Sequence, residues 1–275
     1  MKIALVQMRC TENKEENVKK AIKYVREAST QGAEIICLQE LFSTTYFPAV
    51  EDLRHFAFAE PIPGPTINRL CDVAKRFKIS MIAPIFEEDT EVMGIFYNSA
   101  VVIGSDGNIL GKYRKTHIPQ LPGYKEKFYF KPGNLLYSVF DTGSCKLGVA
   151  LCYDRHFPEP IRIEAIRGAQ IVFVPTCTAF YPETWELELR AHAAFNTIFV
   201  AGVNRVGKEF PHQAVKYFGK SLMANPRGDI VAQAGEDEEL LVFDVNLGEV
   251  RDRRKIAPFL RDRHPESYED LVRFL

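Results

Sequence analysis

Lys146-Leu147-Gly148-Val149-Ala150-Leu151-Cys152-Tyr153-Asp154-Arg155-His156-Phe157-Pro158-Glu159 carries an apolar run into a polar turn, and the turn into a helical pattern over residues 161–166. A short apolar run bounded by turn residues predicts a buried strand. A cysteine on a strand-to-helix turn sits at a sheet edge beside free helix N–H groups, which favour a thiolate and can bind an oxyanion. A buried structural cysteine at a strand end is the plainer reading of Cys152, so its meaning depends on what surrounds it.

The same alternation extends outward through most of the chain. Residues 3–8 read as a strand, after which Val18, Ala21, Ile22, Val25 and Ala28 recur at helical spacing. A second strand is expected at 34–38, an amphipathic helix on Ile67, Leu70, Cys71, Ala74 and Phe77, and a third strand at 79–86. Residues 99–112 read as a hairpin, with two apolar runs flanking the turn formers Ser105-Asp106-Gly107-Asn108. Further strands are expected at 135–140, 146–151, 171–174, 198–203 and 240–243, with a helix at 185–196. No repeat, low-complexity stretch or linker-like shift divides the sequence, so a single α/β domain over residues 1–275 with mixed strand order is predicted. The loop-rich stretches 42–65 and 116–133 are dense in aromatics, prolines and charges, and long loops inside a compact domain are often functional.

Hydrophobic residues make up 46% and charged residues 26% of the 275, which leaves ample apolar side chain for a core. A net charge of −1 gives no global field toward nucleic acid or an anionic membrane, so neither is expected as a partner. The basic run from Arg251 to Lys255 has an acid interspersed and reads as a solvated helix face. No window approaches the ~18 uninterrupted apolar residues of a membrane span, and the opening apolar run is too short for a secretory core. A cytoplasmic location is expected, and with it reduced thiols. Cys10, Cys37, Cys71, Cys145, Cys152 and Cys177 form no CxxC pair and no dense framework, which also argues against a disulfide oxidoreductase.

Two further side chains sit where chemistry is plausible. Glu40 closes the strand ending Leu38-Gln39, where a loop rich in Phe42, Tyr46 and Phe47 begins. A carboxylate walled by aromatics suits general-base work, although a surface glutamate is the plainer reading of the residue alone. Lys115 lies at the exit of the hairpin, in Gly111-Lys112-Tyr113-Arg114-Lys115-Thr116-His117-Ile118-Pro119. A fixed ammonium beside a developing oxyanion is a strong electrostatic catalyst, while three cations in four residues also fit a solvated strand end. His117 and His156 lack ligand spacing to a second histidine, so no metal is expected.

Taken together and in chain order, Gln39-Glu40-Leu41, the Tyr113–Pro119 segment and Leu151-Cys152-Tyr153-Asp154-Arg155-His156-Phe157-Pro158-Glu159 resemble the Glu–Lys–Cys triad motifs of the nitrilase, or carbon–nitrogen hydrolase, superfamily. The resemblance runs from Ile3-Ala4-Leu5-Val6-Gln7 to the tail at 261–268. Gln39 departs from the proline of many members and is shared by the β-ureidopropionase-like branch. The resemblance implies a four-layer α-β-β-α sandwich, homodimeric or assembled further, with residues 251–275 at a subunit interface rather than a free tail. It implies a cysteine-dependent amidohydrolase that acts on a small molecule and needs no metal or organic cofactor. Glu126, in Gly123-Tyr124-Lys125-Glu126-Lys127-Phe128-Tyr129-Phe130-Lys131-Pro132-Gly133, matches a second family glutamate that orients Lys115 and the substrate amide by accepting hydrogen bonds. Without the motif, a glutamate in a Lys-Glu-Lys run reads as surface.

Arg155, three residues after Cys152, resembles the N-carbamoyl amino acid hydrolases, where the N-carbamoylputrescine branch tends to carry glutamine. A guanidinium there makes charge-assisted hydrogen bonds to a substrate carboxylate and repels an ammonium. The alternative is that Arg155 pairs with Asp154, Glu159 or another carboxylate of the protein. Residues 43–48 resemble the carbamoyl-D-amino acid hydrolases and 201–207 the β-ureidopropionases. The expected reaction is cleavage of an N-carbamoyl amino acid to amino acid, CO2 and ammonia through a carbamoyl thioester, with Tyr46, Tyr153 and Thr178 joining Arg155 at the substrate and Cys177 serving as wall. An N-carbamoylputrescine amidohydrolase or ω-amidase sharing the triad is the rival enzyme, and a catalytically silent scaffold of the same fold is the rival of another class.

Overall fold

Strands that are apolar on both faces must be covered on both faces, and here each strand's two sets of alternate residues enter different cores. In the computed structural model, which describes residues 1–210 and 215–273, two six-stranded sheets face each other. The first runs in the order Glu239–Asp244, Lys2–Gln7, Ile35–Leu38, Ser80–Glu88, Phe96–Ile103, Ile109–Arg114. The second runs Ile230–Gln233, Leu222–Ala224, Phe199–Val203, Ile171–Pro175, Lys146–Val149, Phe140–Asp141.

From the strand Lys2–Gln7, Ile3 and Leu5 face the opposite sheet, where they join Leu147, Val149, Ile171, Phe173 and Ala201 in the central core. Ala4 and Val6 face the other way and pack with Val18, Ala21, Val25, Ile67, Leu70 and Ala74 of the helices Lys14–Thr30 and Pro65–Phe77. On the far side, Val172, Val174 and Val200 pack against Ile161, Ala165, Trp185 and Leu189 of the helices Pro158–Ile166 and Pro182–Asn196. The result is a four-layer α-β-β-α sandwich of the expected kind.

The strands Lys2–Gln7, Ile35–Leu38 and Ser80–Glu88 are parallel, as are Lys146–Val149, Ile171–Pro175 and Phe199–Val203. Their C-terminal ends therefore open into loops along one edge of each sheet, the place where α/β folds gather binding residues. The hairpin forms between Phe96–Ile103 and Ile109–Arg114, antiparallel as expected. Its turn needs Gly107, at φ +86°, because a Cβ there would lie 2.7 Å from the Cys71 carbonyl oxygen.

The expected strand at 135–140 survives only as Phe140–Asp141. Leu136 takes a left-handed φ of 59° and is exposed, so the apolar run Leu135-Leu136 cannot continue the sheet. The short strands Val206–Lys208, Lys216–Phe218, Leu222–Ala224 and Ile230–Gln233 were not singled out, being three or four residues long without a clean period. Arg251 to Lys255 do lie on a helix, Gly248–Ile256, anchored by buried Val250. Beyond it the chain makes only short turns at Pro265–Ser267 and Glu269–Val272, and residues 274–275 of the expected interface segment lie outside the described residues.

Gly202 faces the helix Pro182–Asn196 so closely that an added Cβ would meet Leu189 at 2.3 Å and Trp185 at 2.5 Å. Gly202→Ala should therefore destabilise by about 1–3 kcal/mol through overpacking. The check is a lower denaturant midpoint with an unchanged slope, and an unchanged midpoint would contradict this packing.

Candidate active site

Glu40 stands two residues beyond the strand Ile35–Leu38, Lys115 one residue beyond Ile109–Arg114, and Cys152 three beyond Lys146–Val149. The first two come from one sheet and the third from the other, so the sandwich itself brings them to a common edge. Glu126 arrives separately, on the single helical turn Glu126–Tyr129. Glu40, Lys115 and Glu126 are fully buried, and Cys152 is nearly so.

Lys115 Nζ lies 2.9 Å from Glu40 Oε1 and 2.8 and 2.7 Å from Glu126 Oε1 and Oε2. Burying an ammonium is affordable only with such partners. Asn98 Nδ2 donates a second hydrogen bond to Glu40 Oε1 at 2.8 Å, while Glu40 Oε2, also buried, has no partner among the described residues. Burial, opposed by the Lys115 ammonium and assisted by Glu40's charge, pushes the Glu126 carboxyl up to about 7.

Cys152 opens the 3-10 turn Cys152–His156 with a left-handed φ of 46°, a conformation uncommon for a residue with a side chain. Asp154 anchors this turn. Its Oδ2 accepts from Leu151 N at 3.0 Å and the Tyr113 hydroxyl at 2.7 Å, and its Oδ1 accepts from His117 N at 3.0 Å and contacts His117 Nδ1 at 2.7 Å. Burial and the nearby Glu40 charge push the Cys152 thiol up to about 12, against the pull of Lys115 and Arg155. Burial thus favours the thiol form, the form on which a general base acts.

Cys152 forms part of the wall of a cavity of about 580 Å³, with Tyr124, Tyr153, Phe180 and Tyr181 among its aromatic lining. Thr178 and Cys177 also line it. Tyr46 is not in that lining, and its hydroxyl donates to Glu126 Oε1 at 2.7 Å. The charged or ionisable lining among the described residues comprises Arg155 and His156, plus the phenols and thiols. Arg155 is not free. Its Nε donates to Glu188 Oε2 at 2.9 Å and its Nη1 to the Cys152 carbonyl at 2.9 Å, and His156 Nδ1 contacts the other Glu188 oxygen. Pairing with a carboxylate of the protein is thus the alternative that the structure realises, through Glu188 rather than Asp154 or Glu159. No three His, Cys, Asp or Glu side chains are grouped as metal ligands among the described residues.

Asn98 and Asp154 were not singled out from the sequence. Asn98 carried a signal, since Asn98-Ser99 interrupts an otherwise apolar strand, whereas an aspartate in a polar turn is unremarkable without its donors.

The carbon-nitrogen hydrolase family profile matches residues 2–255. An N-carbamoylputrescine amidase from Solanum lycopersicum is 38% identical over 285 residues, spanning 98% of this chain and 94% of that protein. The crystal structure of a carbon-nitrogen hydrolase from Helicobacter pylori G27 superposes with a TM-score of 0.94 at 32% identity, covering 99% and 98% of the two chains. A glutamate-to-glutamine mutant of an amidase from Nesterenkonia, with a TM-score of 0.84 and 26% identity over 99% of this chain and 97% of that one, shows covalent addition of the acetamide moiety of fluoroacetamide at its active site cysteine. The chain belongs to the carbon–nitrogen hydrolase, or nitrilase, family and is a cysteine-dependent amidohydrolase. Within the family, the similarity to N-carbamoylputrescine amidases corrects the β-ureidopropionase-like branch expected from Arg155.

Asp154→Asn replaces an acceptor-only group by one with two donors facing Leu151 N, His117 N and the Tyr113 hydroxyl. A stability loss of about 1–3 kcal/mol is expected, read as a lower unfolding midpoint. Glu126 gives a pH signature of definite sign. Its folded pKa lies above the ordinary carboxyl value of 4.5, so the folded state binds the extra proton and stability falls as pH rises from about 4.5 to 7, then levels. Glu126→Gln should remove that slope. Unfolding midpoints of both proteins between pH 5 and 8 test it, and parallel curves would show that Glu126 does not titrate there.

Proposed function

We propose that this enzyme hydrolyses the terminal carbamoyl or primary amide group of a linear small molecule that carries no carboxylate at its far end, with N-carbamoylputrescine as the type substrate. The observation that carries the reading is Arg155: its charge is already balanced by Glu188, so the pocket offers a substrate carboxylate no uncompensated cation. The aromatic lining supports the same choice, because Tyr124, Tyr153, Phe180 and Tyr181 present π-faces that attract an ammonium and pack a methylene chain. The likeness to N-carbamoylputrescine amidases agrees.

In the proposed reaction Glu40 takes the Cys152 thiol proton, and its partnerless Oε2 is the oxygen available for it. The thiolate attacks the carbonyl carbon of the substrate. Lys115, with a backbone N–H near Tyr153, stabilises the oxyanion, and Glu126 holds Lys115 in place. Glu40 returns the proton to the departing ammonia, leaving a thioester on Cys152. Water activated by Glu40 then releases the acid, which for a ureido substrate is a carbamate that breaks down to CO2 and the free amine. We propose as well that residues 251–273 meet a second copy of the chain, since Ile256, Leu271 and Val272 are exposed apolar residues on that segment.

Ammonia release from N-carbamoylputrescine, N-carbamoyl-β-alanine, N-carbamoyl-D- and L-amino acids and glutaramate, measured side by side, tests the substrate. N-carbamoylputrescine should be turned over faster than every carboxylate-bearing ureido compound, and the reverse order would restore Arg155 as a carboxylate clamp. Cys152→Ala should abolish turnover. Glu188→Gln frees the Arg155 charge and should shift the kcat/KM ratio toward N-carbamoyl-β-alanine by about tenfold, the worth of one charge-assisted contact of roughly 1.4 kcal/mol.

A further inference from the structure

Two residues that the proposed reaction does not use are connected to both carboxylates around Lys115. Arg205 follows the strand Phe199–Val203 of the second sheet, and Glu209 follows the ribbon strand Val206–Lys208. Both are buried and form an ion pair through Arg205 Nη1.

Arg205 reaches across to the first sheet. Its Nη2 donates to the Glu40 carbonyl at 2.9 Å and the Leu41 carbonyl at 3.0 Å, and Nη1 donates to the Thr44 carbonyl at 3.0 Å. These carbonyls belong to a tight turn in which Leu41 adopts φ 49°, a left-handed conformation few non-glycine residues take. The guanidinium thus satisfies the carbonyls that this turn withdraws from strand pairing, and the turn fixes where the Glu40 side chain starts.

Glu209 works on the other carboxylate. Its Oε1 accepts from Cys10 N at 2.8 Å and its Oε2 from Tyr46 N at 3.1 Å, and the Tyr46 hydroxyl is the group that donates to Glu126 Oε1. Arg205 Nε is buried without a partner among the described residues.

We propose that the Arg205–Glu209 ion pair is a positioning device for the reaction, setting Glu40 through its own peptide and Glu126 through Tyr46. It touches neither substrate nor the reacting sulfur. The inference rests on the roles given above to Glu40 and Glu126. A displacement of either carboxylate by a fraction of an ångström weakens proton transfer and oxyanion stabilisation without changing the cavity wall, so the effect falls on kcat and not on KM.

The test uses Arg205→Lys, which keeps the buried charge but cannot bridge three carbonyls, and Glu209→Gln, which keeps the volume. Assayed far below their unfolding temperatures, both should lose about 10- to 100-fold in kcat with KM within about twofold. The double variant Arg205→Lys/Glu209→Gln should lose little more than either single one, because the two residues act as a unit. Folded variants with the wild-type kcat, or with a loss carried mainly by KM, overturn the proposal. Failure of both single variants to fold also overturns it, since the pair is then a determinant of folding. Glu40→Gln separates the two levels of inference: an active Glu40→Gln enzyme removes the underlying mechanism, whereas an inactive one beside a fully active Arg205→Lys enzyme removes only the positioning role.

Discussion

The buried ammonium of Lys115 is the constraint around which this end of the molecule is organised. An isolated charge in a dry interior costs far more than a protein's net stability. Lys115 is tolerated because Glu40 and Glu126 meet it within hydrogen-bond distance. The carboxylates in turn need Asn98, Tyr46 and the backbone turns that deliver them. Lys115, Glu40 and Glu126 are therefore both participants in the proposed chemistry and supports for one another, so the geometry of the site and the stability of the loops around it are one problem.

The two sheets solve that problem by supplying opposite halves. Glu40 and Lys115 leave from the edge of one sheet, Cys152 from the edge of the other, and the central core of Ile3, Leu5, Leu147, Val149 and Phe173 sets the distance between them. Asp154 holds the cysteine turn from its own side by gathering Leu151, Tyr113 and His117. Tyr113 and His117 flank Lys115 in sequence, so this carboxylate also ties the lysine segment to the cysteine turn across the gap between the sheets.

Much of this was legible in the sequence, and the illegible part has a physical pattern. Long apolar strands and amphipathic helices such as Lys14–Thr30 announce themselves by period, and the hairpin by its turn residues. Strands of three or four residues, like Leu222–Ala224, take their identity from neighbours on both sides and leave almost no local trace. The positions of Glu40, Lys115, Glu126 and Cys152 could be read because each sits in a motif. Arg155 could be read as a cation near the cysteine, but whether its charge is spent is decided by Glu188, 33 residues away on another helix. The contact of Tyr46 with Glu126 is hidden for the same reason, since the two residues lie 80 positions apart.

The burial of Cys152 bears on how its sulfur meets molecules other than the substrate. Peroxides and adventitious electrophiles attack thiolates, and a sulfur held protonated in a nearly dry site presents very little thiolate to them. In the proposed reaction the thiolate forms only when Glu40 takes the proton. Access is the second filter: Cys152 is buried at the wall of its cavity, so an electrophile must enter that cavity to meet the sulfur.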